Sequence, residues 1–138
     1  MKTYQESLTL PAYPRGFHLI TFHIEKIIAK SGITTGLANI FLQHTSASLC
    51  INENADPSVR EDFESFFNDI CDNKPYYIHT YEGSDDMPAH IKNSLLSTSL
   101  NIPISNNSLA LGTWQGIYLG EHREYGGKRS LVITIYGK

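Results

Sequence analysis

A chain of 138 residues, 41% hydrophobic and 18% charged, can bury a core without disulfide or metal staples and is too apolar for a disordered class. Its formal net charge of -3, with no basic run longer than Lys128-Arg129, excludes a nucleic-acid binder built on phosphate neutralisation. No apolar stretch has the length of a membrane span and "MKTYQESLTL" lacks a signal-peptide core, so the expectation is a single cytoplasmic domain over 1–138.

In chain order, "YQESLTL" alternates as a strand at a sheet edge, and "PAYPRG" supplies a turn before the strand-like "FHLITF". Between His23 and Lys30, the residues Ile24, Ile27 and Ile28 share one helical stripe, and Gly32 stands where the helix should stop. The apolar run from Leu37 to Leu42 predicts a strand. Ala47, Leu49 and Ile51 then alternate with Ser46, Ser48 and Cys50, giving either a second strand or one strand bent through 44–46. Cys50 and Cys71 form no CxxC pair and read as small buried residues rather than a disulfide.

The next helix has Asp56 as N-cap and Pro57 at its first position, where the missing amide costs nothing. Its apolar stripe is Val59, Phe63, Phe66, Phe67 and Ile70, expected to cover a sheet. A third helix is expected from about Pro88, capped by Asp85 or Asp86, with Ile91, Leu95 and Leu96 inward. "IPI", "LAL", "TWQGIYLG" and "RSLVITIY" read as a C-terminal β meander. Strands in runs with segregated helices predict an α+β fold with a mainly antiparallel sheet or sandwich.

Six histidines invite a question about metal or proton chemistry. His18 and His23 have no acidic cluster nearby in sequence and read as surface or satisfied core residues. His44 opens the polar triplet His44-Thr45-Ser46 directly after a buried strand, a common location for a site in a sheet protein. "HTYEGSDDMPAH" places His79 and His90 around Glu82, Asp85, Asp86 and a glycine turn, which suits either a divalent cation or a phosphate at a helix start. Asp85 and Asp86 are equally well explained as helix caps, and the spacing matches no strict zinc signature.

Trp114 and Gln115 are expected in a strand between Gly112 and Gly116, with Trp114 either a core anchor or a stacking face. Beyond that strand, Glu121, His122, Arg123 and Arg129 gather a carboxylate, an imidazole and two guanidinium groups, which fits anion binding or ordinary salt bridges. A Ser/His/Asp nucleophile is disfavoured, since no Gly-x-Ser-x-Gly elbow is present.

The blocks "RGFHLIT", "LQHTSASLCINENADPSVRED", "YEGSDDMPAHIKNSLL" and "LGTWQGIYLGEHR" together resemble the YjbQ family over essentially the whole chain. That family comprises small proteins known as secondary thiamine-phosphate synthase enzymes. The resemblance implies an α+β fold with a β-sandwich-like core covered by two or three helices, and a homotrimer. It also implies weak thiamine-phosphate synthase activity, joining a pyrimidine diphosphate to a thiazole phosphate with release of pyrophosphate. Carried onto this sequence, it places His44, Asp85, His90, Glu121 and Arg129 at the family's shared polar positions and His79 at its histidine before the "YEG" turn, without dividing them between metal and substrate; the catalytic residues expected here are His44, His90 and Glu121. Ser46, Asp85, Trp114 and Arg129 become the expected substrate contacts, and His44, His79 and His90 the expected ligands of a divalent ion, zinc or magnesium. Two rival readings are a non-catalytic module for a metal or anionic metabolite and a metal-assisted hydrolase of a phosphorylated metabolite.

Overall fold

A computed structural model describes residues 1–138 as two antiparallel sheets and three helices. One sheet has the order β1(Lys2–Leu10), β8(Arg129–Gly137), β3(Thr35–Leu42), β5(Ser99–Ser105), β6(Ser108–Leu109). The other has the order β2(Gly16–Leu19), β7(Gln115–Glu121), β4(Ala47–Glu53). Alternation along each strand sends Ile133, Ile135, Ala38, Ile40 and Ile102 of the first sheet and Leu49, Ile117 and Leu119 of the second into one core, which α1(Thr21–Ser31) completes with Ile24, Ile27 and Ile28. Gly32 ends α1 in the left-handed conformation, as the sequence predicts, and β1 lies at an edge.

The stretch at 43–46 is a corner rather than a bend in one strand. β3 and β4 belong to different sheets, and the chain changes sheet between them. The C-terminal third is likewise no meander: β5 and β6 pair with each other, but β7 pairs with β2 and β4, while β8 inserts between β1 and β3. The segment joining β7 to β8 therefore crosses between the sheets beside the 43–46 corner.

The helices α2(Pro57–Cys71) and α3(Asp86–Leu95) cover the outer face of the three-stranded sheet. Asp56 caps α2, accepting from the Ser58 amide at 2.9 Å and satisfying one of the helix's otherwise unpaired first-turn donors. Phe63 and Phe67 pack on Phe17 with ring centroids 5.5 and 6.0 Å apart, whereas Phe66 and Ile70 at the stripe's margin stay exposed. In α3 the inward face differs from the expected one. Asp86, Pro88, Ala89 and Lys92 are buried and Leu95 is exposed. Two polar anchors set that rotation: Lys92 reaches Asn68 and Asp72 at 2.7 and 3.0 Å, and Asn93 donates to the carbonyls of His44 and Ala47 at 3.1 and 2.9 Å. A buried ammonium must keep its partners, and this outranks the packing of one leucine.

Candidate metal centre

The sheet corner, the crossing segment and the start of α3 meet in one polar cluster. Asp86, in the first turn of α3 and 1% exposed, turns Oδ2 to His79 Nε2 at 2.9 Å and to His90 Nε2 at 3.3 Å. One ligand atom from each residue lies within 4.8 Å of the others. Asp86 and His90 are four apart on the helix and share a face, while His79 arrives from the loop after α2. His90 also donates Nδ1–H to the Thr45 carbonyl at 2.8 Å, which assigns the ring proton to Nδ1 and leaves the Nε2 lone pair directed at Asp86.

This donor set fits a divalent ion. Two imidazoles and one carboxylate, one imidazole being oriented by a backbone carbonyl, suit zinc or a similar transition metal and leave positions open for a ligand. Magnesium, which favours oxygen donors, suits it less well.

The structure leaves His44 outside this set. Its Nε2 accepts from the Ser130 amide at 2.8 Å, so the neutral ring carries its proton on Nδ1, 3.3 Å from Nη1 of Arg129. Burial first, and then the Arg129 charge, push its pKa down. His44 is a neutral ring pinning the corner to β8, with no lone pair free for a cation.

Glu121 and Arg129 form a buried bidentate pair: Nε and Nη2 of Arg129 meet the two carboxylate oxygens at 2.8 and 2.6 Å. Glu121 also accepts the Arg123 amide at 3.1 Å, and Arg129 Nη2 donates to the Ser46 carbonyl at 3.1 Å. Ser46 thus enters through its backbone. The carboxylate lies tight under Gly126, where any Cβ would collide with it. Glu121 and Arg129 are committed to each other, so neither presents a free base or an open guanidinium fork.

Asp85 occupies the cap position of α3 without capping it. Its carboxylate takes the Glu124 amide at 2.9 Å and faces Arg123 Nη2 at 3.4 Å. Burial raises its pKa, but these contacts outweigh burial and hold the carboxyl below its ordinary value. Trp114 stands apart from the site. It lies in the turn before β7, exposed, at the opposite end from Glu121, and a strand of this length puts about 20 Å between them. Trp114 is neither core nor able to stack on a ligand at Asp86 of its own chain.

Two residues that the sequence pattern includes in its polar segments, without singling them out as site residues, matter here. Asp86 is the third donor, and its sequence signal was the four-residue spacing to His90. Arg123 places Nη1 3.3 Å from Asp86 Oδ1 and donates through Nη2 to the Glu82 carbonyl at 2.7 Å. A cleft of about 440 Å³ opens alongside, lined by Arg15, Asp72, Glu82, Gly83, Asp85 and Arg123 among others.

On the far side of β7, His122 is buried, with Nε2 2.7 Å from Ser48 Oγ and no partner for Nδ1. Lacking solvent access and a third member, the pair is no nucleophilic dyad. Burial, assisted by the charges of Lys92, Arg15 and Arg129, pushes His122 down to about 3. The unfolded chain takes up this proton below about pH 6.5, while the folded ring stays neutral until about pH 3. Stability should therefore fall as pH drops through that window, by up to about 1.4 kcal/mol per pH unit from this group, with no such contribution above it. Urea denaturation across pH 4–7 checks this: His122→Gln should flatten the slope, and an unchanged slope would assign acid sensitivity elsewhere.

Comparison with known proteins agrees with this architecture. A family model described as UPF0047 protein YjbQ-like matches residues 6–138. The UPF0047 protein YjbQ of Salmonella typhimurium is 51% identical over 136 residues, covering 98% of this chain and 99% of that one. A UPF0047 protein of Synechocystis is 42% identical, covering 99% and 94%. Among solved structures, a YbjQ-like protein of unknown function from Sulfolobus solfataricus superposes with a TM-score of 0.90 at 25% identity, covering 99% of each chain. A YjbQ/UPF0047 family protein from Clostridium acetobutylicum gives 0.86 at 36% identity, covering 95% and 99%. No helix is long and apolar enough to cross a membrane. With the family model spanning nearly the whole sequence and the relatives matching end to end, the chain belongs to the YjbQ-like UPF0047 family.

Proposed function

We propose that this protein holds a divalent cation on His79, Asp86 and His90 and acts there on a phosphorylated small metabolite. The reaction we favour is the thiamine-phosphate-synthase type of coupling that the family resemblance implies. The observation that carries the reading is the convergence of the three donors, with His90 fixed by the Thr45 carbonyl so that Nε2 is free.

When bound, the cation supplies charge neutralisation for a departing diphosphate. In the coupling, the thiazole nitrogen forms a bond to the pyrimidine methylene carbon as the carbon–oxygen bond to pyrophosphate breaks, and pyrophosphate leaves with the electron pair. That step needs no general base. The lone pair of His44 is engaged and Glu121 is paired and buried, which suits such chemistry better than water attack in a hydrolase. Asp86 and the two imidazoles would hold the cation that orients the anionic end, and the polar cleft beside them takes the remainder.

A homotrimer and a cytoplasmic location belong to the same reading. The outer face of the five-stranded sheet is in keeping with self-association, because Gln5, Asn39, Phe41, Asn101, Thr134 and Tyr136 carry no charge there and no helix covers them. Turnover of the two thiamine precursors, followed by pyrophosphate release with and without a chelator, tests the function. Metal-dependent, saturable turnover is expected. Cation binding without turnover would favour a binding module, and chelator-resistant turnover would remove the metal from the reaction.

A further inference from the structure

We propose that Arg123 is the guanidinium that meets phosphoryl oxygens at this site, and that it does so only after the cation is bound. The proposal rests on the metal reading above and names the ligand class of the same centre: a metal-held phosphate or diphosphate.

Arg123 and the donor trio share one carboxylate. Asp86 turns Oδ2 to the imidazoles and Oδ1 to Arg123 Nη1, so an anion lying over Asp86 would touch the cation on one side and the guanidinium on the other. The neighbouring Arg129 cannot serve, because two of its nitrogens are locked on Glu121 in the interior. Arg123 makes longer ion pairs, although Nη2 also donates to the Glu82 carbonyl at 2.7 Å. Its Nε is buried with no partner, and its contacts to Asp85 and Asp86 are 3.4 and 3.3 Å, against 2.6 and 2.8 Å for the Arg129 pair. A guanidinium with an unsatisfied donor and long ion pairs gains from a better acceptor, and a phosphoryl group matches its fork.

The surrounding charge sets the order of binding. Asp72, Glu82, Asp85 and Glu124 line the cleft with Arg15 and Arg123, and Asp86 lies beneath. Carboxylates outnumber arginines, so a bare anion is repelled. A divalent cation on the trio reverses that balance and leaves Arg123 competing for less negative charge.

The test titrates pyrophosphate calorimetrically into Mn2+-saturated and metal-free protein, against a matched Mn2+ blank. Wild type should bind pyrophosphate only when Mn2+-loaded. Arg123→Gln should bind Mn2+ at least as tightly, since a neighbouring cation has been removed, yet lose pyrophosphate affinity roughly tenfold or more. Arg123→Lys, keeping the charge but not the fork, should fall between them. Equal pyrophosphate affinity in wild type and Arg123→Gln overturns the proposal. So does loss of Mn2+ and pyrophosphate together, which would make Arg123 a structural tie for α3. Mn2+ binding by wild type with no pyrophosphate response overturns this inference alone; if only Zn2+ binds, the same titrations on Zn2+-loaded protein decide it, and binding of neither ion by wild type overturns the metal reading beneath it as well.

Discussion

Asp86→Asn should abolish cation binding while leaving the fold intact. The side chain keeps its shape and can still hydrogen-bond His79, but it loses the charge that makes two imidazoles and a carboxylate a cation site. Loss of a residue that merely orients a ligand costs ten- to a hundredfold in metal affinity, so loss of the one anionic donor should cost roughly a hundredfold or more. Zinc titration with a competing chelator reads this directly, and circular dichroism should match wild type. His90→Ala should act in the same direction. His44→Ala should leave zinc affinity within a few-fold of wild type, because its Nε2 is engaged by Ser130. Wild-type affinity in Asp86→Asn would remove the centre from its proposed position.

The second large effect is on stability. Glu121→Ala leaves the Arg129 guanidinium buried without its counter-charge, opens space under Gly126, and loosens the guanidinium that holds the Ser46 carbonyl. Breaking a buried pair in this way costs about 3–5 kcal/mol, a large part of a small domain's total stability. The double replacement Glu121→Leu with Arg129→Met should recover much of that loss, because the cost lies in the orphaned charge rather than in the missing attraction. Urea denaturation of the two variants separates the cases. A loss below about 1 kcal/mol in Glu121→Ala would show that water reaches Arg129 and that the pair is not the clasp of the corner.

What the sequence made legible was mostly local. The isoleucine stripe of α1, the Gly32 stop, and the Asp56 cap with Pro57 depend on residues within a turn or two of one another, and each was readable. The sheets were not. β7 and β8 are apolar runs that satisfy the same alternation in either sheet, so the crossover between them has no signature in the strand pattern. The orientation of α3 depended on Lys92 and Asn93 finding partners 20 or more residues away, which no helical periodicity contains.

The same limit shaped the site. Asp86 had a complete local explanation as a helix-start carboxylate, and only His79 returning across the loop gives it a second role. Arg123 and Arg129 flank one glycine-rich turn and look alike in sequence. Which of them pairs with Glu121 is decided by the chain crossing between sheets, and that crossing buries Arg129 and leaves Arg123 at the cleft.

X-ray absorption on protein reconstituted with zinc should show one zinc per chain with only nitrogen and oxygen neighbours at about 2.0–2.2 Å and the outer-shell signature of the two imidazoles of His79 and His90. Failure to retain zinc, or a sulfur neighbour near about 2.3 Å contributed by Cys50 or Cys71, would contradict a metal centre on His79, Asp86 and His90.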